Sequence, residues 1–123
     1  MADRFTSEGE TSIQERLPLT PAVFHILLAL AEGERHGYAI MREAAERSDR
    51  RVMLQAGALY RLLARLLEDG LVVESQRRPA ADADDQRRRY YRVTPLGRRV
   101  MAAEAERMAA LAAAARAALG AFA

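Results

Sequence analysis

Five leucines, Leu59, Leu62, Leu63, Leu66 and Leu67, recur at i, i+3, i+4, i+7 and i+8. That spacing lays a single apolar stripe along an α-helix. A strand cannot gather them on one face, because its side chains alternate. The pattern predicts a helix over residues 58–69, ended by Gly70. The opposite face shows Tyr60, Arg61, Ala64, Arg65 and Glu68. Arg61 and Arg65 are four apart and so project from the same side. A helix written this way must bury its leucines against other elements while its arginines point outward.

The neighbouring segments supply those elements. Thr20-Pro21 is a helix start, a hydroxyl cap followed by proline at the first helical position. The helix runs through Val23, Ile26, Leu27 and Leu30, and Gly33 ends it. Gly37 opens a second helix over residues 38–48, with Ile40, Met41, Ala44 and Ala45 as its apolar residues. After the leucine helix, residues 71–74 and 90–93 read as two short strands. Between them Gln76 to Arg89 holds Pro79, three Asp and five Arg, too polar for a core. This predicts a hairpin with a long charged tip. One of Tyr90 and Tyr91 should point inward and the other outward.

Thr94-Pro95 repeats the hydroxyl-proline start, and a last helix follows over residues 96–119. Met101, Met108, Ala115 and Phe122 recur every seven residues, with Leu111, Ala118 and Leu119 alongside. Nothing later in the chain can cover that seam, so the expected partner is the same helix of a second subunit. Residues 1–17 are polar, and Ser12-Ile13-Gln14-Glu15 has the form of a capping box, predicting a short helix in an otherwise mobile tail. The expected fold class is mainly α with a small β-hairpin, a winged helix-turn-helix plus a long C-terminal dimerisation helix. The expected divisions are 1–18, 19–94 and 95–123.

Composition narrows the chemistry. The 123 residues contain no cysteine, which removes disulfides, zinc–thiolate sites and thiol nucleophiles together. The only histidines, His25 and His36, make a poor metal site. His25 falls with Ala29 and Glu32 on the more polar side of the first helix, and His36 is a turn or cap residue. No phosphate-cradling glycine loop or Ser-His-Asp constellation occurs. No catalytic residue, cofactor or metal is expected, and an enzyme is the weakest functional class. No apolar run is long enough to span a bilayer. Acidic Asp3, Glu8 and Glu10 stand where a secretory leader would be basic and then apolar. A cytoplasmic location is therefore expected.

All 19 basic residues are arginine, and their placement matters more than the net charge of +2. Residues 1–49 carry five Arg against nine acids, whereas residues 76–99 carry eight against three. A basic segment thus lies between an acidic front and a neutral tail, and such a field suits phosphate or another anionic partner. Three helices followed by a hairpin is the order of a winged helix-turn-helix, whose third helix enters the major groove of double-stranded DNA. Arginine's planar fork can grip a phosphate or bind guanine O6 and N7. A competing reading makes the domain a protein–protein module whose basic wing meets an acidic partner.

Four motifs add a resemblance. His36-Gly37-Tyr38-Ala39-Ile40, Gly57-Ala58-Leu59-Tyr60, Leu66-Leu67-Glu68-Asp69-Gly70-Leu71-Val72 and Tyr90-Tyr91-Arg92-Val93-Thr94-Pro95-Leu96-Gly97 occur in order. Together they resemble the PadR family of bacterial transcriptional regulators, over about Leu19 to Met101 and in its shorter type with one terminal helix. The resemblance implies a homodimeric repressor on a palindromic operator, released by an aromatic or apolar small-molecule effector. The chain departs from the family where Gln55-Ala56 replaces a small polar cap and proline, where Ala58 replaces threonine, and where Arg61 stands in place of a common proline. Trp, which stacks on drugs in some members, is absent.

The expected DNA contacts of the recognition helix are Gln55, Ala58, Tyr60, Arg61 and Arg65. Those of the second helix and wing are Tyr38, Arg77, Arg78, Arg87, Arg88 and Arg89. The bland readings are a solvated helix face with Arg61 and Arg65 reaching Glu68 or Asp69, a structural anchor of the helix start for Tyr60, core packing for Tyr38, and neutralisation of the wing by Asp82, Asp84 and Asp85. The expected dimer interface is Met101, Met108, Leu111, Ala115, Leu119 and Phe122.

Overall fold

Thr20 starts the folded body as its hydroxyl predicts: Oγ1 accepts a hydrogen bond from Val23 N at 3.2 Å, capping helix α1 (Pro21–Ala31). The computed structural model describes residues 12–75 and 89–120. After α1 come strand β1 (Arg35–His36), α2 (Gly37–Arg47), α3 (Ala56–Glu68), β2 (Val72–Glu74), β3 (Tyr90–Val93) and α4 (Pro95–Gly120). They fall into two compact units, one Leu19–Arg98 and the other joining described residues 12–18 to 99–120.

Within Leu19–Arg98 the core is built from one face of each helix. Ile26, Leu27 and Leu30 of α1, Ile40 of α2, and Leu59 and Leu63 of α3 are fully buried. Leu66 is buried as well, and Leu62 and Leu67 flank the stripe at half-burial. Ala29 is also in the core, against the expectation of a polar side shared with His25. With four buried residues in an eleven-residue helix, the apolar arc of α1 is wider than its large side chains alone suggest.

The sheet has three strands rather than the expected two, in the order β1-β3-β2 with both pairings antiparallel. The added strand β1 pairs Arg35 with Tyr91 and His36 with Tyr90. Two residues are too few to show an alternating pattern, so only the tertiary pairing reveals them. Tyr91 and Val93 point inward while Tyr90 and Arg92 face out, as alternation requires. Burial, and secondarily the charge of Glu74, pushes the Tyr91 phenol above its ordinary pKa.

Helix α3 closes in a Schellman motif. Gly70, at φ +75°, donates from its N–H to Leu67 O, and Leu71 N–H reaches back to Leu66 O. The chain then turns into β2. Thr94 ties the far end of the sheet to that corner. Its Oγ1 donates to Gly70 O at 2.6 Å and accepts from Gly97 N–H at 3.0 Å, capping α4. A Cβ at Gly97 would collide with the Leu71 carbonyl and Val93 Cγ2, so α4 begins where only glycine fits.

In the other unit, residues 12–15 form a helical turn. Ser12 is itself helical and so is not the expected cap. Ile13 is buried and, with Gln14, forms a cleft with Arg99, Ala102 and Ala103 of α4. Val100 and Glu104 are buried too, and Arg107 Nε donates to Glu104 Oε1, which raises the Arg107 pKa. Every residue from Met108 to Gly120 is exposed.

Gly97→Ala should destabilise the protein by about 1–3 kcal/mol, because its methyl meets backbone that cannot move aside. Thermal unfolding followed by circular dichroism reads this, and an unchanged Tm would show that the corner yields.

Candidate nucleic-acid interface

With Leu59, Leu63 and Leu66 held in the core, the opposite side of α3 is fixed outward. Gln55, Ala56, Gly57, Arg61, Ala64, Arg65 and Glu68 are exposed, and Ala58 is half-buried. Gln55 is the N-cap residue of α3, but its side chain makes no capping hydrogen bond. Its amide therefore remains available to a partner. Ala56 and Gly57 leave the entrance to the helix nearly free of side-chain bulk. Arg61 and Arg65 form no hydrogen bond or ion pair with other described residues, so neither is held by Glu68 or Asp69.

The remaining arginines of this unit are held differently. Arg35 pairs with Glu32 at 3.3 Å and Glu43 at 3.5 Å, and donates from Nε to Ala29 O. Arg47 bridges the same two glutamates, and the hydrogen bond and charge of Glu32, then those of Glu43, raise its pKa. This four-residue network joins the end of α1, β1 and α2. Arg92 lies 3.8 Å from Glu34, whose carboxylate accepts from Ser75 Oγ at 2.8 Å. Arg98 donates to Ala31 O. Among the described arginines of this unit, Arg42, Arg50, Arg51, Arg61 and Arg65 remain: exposed, and with neither an acid nor a carbonyl partner among the described residues. All five lie on α2, α3 or the turn between them.

The tyrosines divide. Tyr38 is 50% exposed near the start of α2, so it does not pack the core. Tyr60 behaves in the opposite way. Its Oη is buried, and a Cβ on Gly37 would run into that hydroxyl. The half-buried ring is thus seated on the first turn of α2 and its hydroxyl is withheld from a phosphate. His36 caps the same turn, its Nδ1 accepting from Ala39 N–H at 3.2 Å while its ring meets Tyr90 edge-on at 5.6 Å. Of the expected wing contacts, Arg89 lies 3.5 Å from Glu74 and is half exposed. Arg77, Arg78, Arg87 and Arg88 lie outside the described residues. Arg42, Arg50 and Arg51, exposed on α2 and in the turn before α3, are not among the residues singled out from the sequence.

This arrangement has known counterparts. The profile of the "Transcriptional regulator PadR-like family" matches residues 26–103, which covers every element from the middle of α1 to the first third of α4. The chain belongs to this family. PadR-like proteins are transcriptional regulators, not enzymes. The "Transcriptional regulator Rv3488" of Mycobacterium tuberculosis is 41% identical over 74 residues, spanning 60% of this chain and 63% of that protein, less than two thirds of its length. A transcriptional regulator from Clostridium thermocellum superposes with a TM-score of 0.62 at 25% identity, covering 77% of this chain and 86% of its own. A PadR family regulator from Eggerthella lenta shares the fold with a TM-score of 0.61 at 24% identity, over 96% of this chain and 94% of its own. The winged helix-turn-helix of this PadR-like chain is thus shared nearly end to end. No helix among its described residues is long and apolar enough to cross a membrane, and no group of three or more potential metal ligands converges there.

Seating Tyr60 on Gly37 makes a double-mutant cycle informative. Gly37→Ala should lower stability by about 1–3 kcal/mol. Adding Tyr60→Phe should cost less than the sum of the two single changes, with a coupling of about 0.5 kcal/mol or more. Additive losses in urea unfolding would show that the two residues do not meet.

Proposed function

We propose that this PadR-like chain is a homodimeric repressor that binds a palindromic operator in double-stranded DNA and is released by a small aromatic or apolar effector. In this reading α3 enters the major groove, with Gln55, Arg61 and Arg65 toward base edges and Ala58 allowing close approach. Tyr38 from α2 and the wing arginines Arg77, Arg78, Arg87, Arg88 and Arg89 contact the backbone. The observation that carries the reading is the state of Arg61 and Arg65. They are exposed on a helix whose other face is locked in the core, and no described acid neutralises them. Arg35, Arg47, Arg89 and Arg92 each meet a glutamate, whereas Arg61 and Arg65 keep their charge open to an anionic partner.

Pairing of two chains is assigned to α4. The helix is 26 residues long, about 39 Å at 1.5 Å per residue, and its second half is bare. Met108, Leu111 and Leu119 are 39%, 57% and 70% exposed, with Ala115 exposed between them, while Met101 is half-buried and Phe122 lies outside the described residues. Apolar side chains at these spacings form a seam that a second α4 can cover. Repression and release by an effector rest on the family.

Replacing Arg61 and Arg65 together with alanine should leave the fold intact, since both are exposed. It should reduce the preference for a selected duplex over a shuffled one by about tenfold or more, as each bidentate guanine contact discriminates by about 1–3 kcal/mol. Fluorescence anisotropy with both duplexes measures this, and an undiminished preference would remove these residues from the site. Leu111→Glu should shift the chain from dimer to monomer in sedimentation velocity. A dimer that persists would place the seam elsewhere.

A further inference from the structure

The turn between α2 and α3 ends α2 in a Schellman motif like the one that ends α3. Asp49 N–H donates to Glu46 O at 3.4 Å and Arg50 N–H to Ala45 O at 2.7 Å. At the end of α3 the residue in the left-handed region is Gly70, for which that conformation carries no Cβ penalty. At the end of α2 two non-glycine residues stand there in succession, Asp49 at φ +52° and Arg50 at φ +65°. A long side chain at such an angle is strained, and strain of this kind gathers at functional positions. Ser48 locks the turn. Its Oγ accepts from Val52 N–H at 2.8 Å and donates to Ala45 O, and its carbonyl accepts from Arg51 N–H at 3.1 Å.

The locked turn presents Arg50 and Arg51 to solvent, both exposed and neither paired with a described acid. They stand five and four residues before Gln55, at the approach to the exposed entrance of α3. A helix that enters the major groove brings the segment leading into it alongside the sugar–phosphate backbone. A guanidinium fork is suited to phosphate oxygens there.

We propose that Arg50 and Arg51 are phosphate clamps, held rigidly by the strained turn, that anchor the DNA backbone beside the groove α3 reads. The inference rests on the DNA-binding reading and deepens it. Arg61 and Arg65 supply sequence preference, whereas Arg50 and Arg51 supply sequence-independent affinity and hold α3 in register. Glycine at position 50 would relieve the strained backbone, and arginine is found there because its side chain binds.

The test uses the full chain, the tightest duplex selected from a random-sequence library by the wild-type protein, and a shuffled duplex, titrated between 50 and 200 mM salt. Arg50→Gly with Arg51→Ala should weaken binding to both duplexes by the same factor. The slope of log K against log salt should become shallower by about 0.9 for each phosphate that is no longer neutralised. The Tm of Arg50→Gly alone should equal or exceed that of wild type. The Arg50→Gln, Arg51→Gln variant keeps a long polar side chain at each position without the charge, and its slope should fall by the same amount. An unchanged slope in both variants, or a weakening confined to the selected duplex, overturns the clamp assignment while wild type still binds. Should wild type itself show neither salt-dependent binding nor preference, the DNA-binding reading falls and this inference with it.

Discussion

The outward chemistry of this protein depends on the burial of Leu59, Leu63 and Leu66 along one side of α3. Fully burying a leucine contributes about 1.5–3 kcal/mol, and an unpaired arginine in its place would cost several. Rolling the helix by two residues, about 200°, would exchange these groups. The rotation of α3 is therefore set by its apolar face, and the positions of Gln55, Arg61 and Arg65 follow from it. The Schellman closure at Gly70 and the Thr94 bonds then set where the sheet and α4 begin, so the stripe also governs what comes after it.

Charge is sorted as definitely as hydrophobicity. Glu32 and Glu43 hold Arg35 and Arg47, while Glu34 and Glu74 hold Arg92 and Arg89. Exposed ion pairs of this kind contribute little to stability. Their larger effect is on the field, because each pairing compensates a positive charge at the surface. Among the described residues of Leu19–Arg98, the exposed arginines with neither an acid nor a carbonyl partner lie on α2, α3 and their connecting turn.

Helix α4 follows a different logic. Its first part is partly covered by Ile13 and Gln14 and carries the buried Glu104, held by Arg107. From Met108 onward it is alanine-rich and bare. Alanine's helix propensity can support such a segment in isolation only weakly, since most helical stability comes from packing. A bare apolar seam on a helix of this length fits a protein whose fold is completed by association.

Much of this was legible in the amino-acid order. The leucine spacing, the two Thr-Pro starts, the caps at Thr20 and His36 and the inward and outward tyrosines of β3 are local signals, each acting within a few residues. So is the family resemblance, carried by motifs that bracket these same turns. What needed the tertiary structure was every choice depending on residues far apart in sequence. Strand β1 exists only because Tyr90 and Tyr91 are there to pair with it. Which seat Tyr60 takes at the start of α3 depends on Gly37, and Ala29 reads as polar-side until its surroundings close over it. Above all, a sequence lists nineteen arginines alike. Only the folded chain decides which of them meet a glutamate and which face solvent, because electrostatic pairing depends on distance in space and not on distance along the chain.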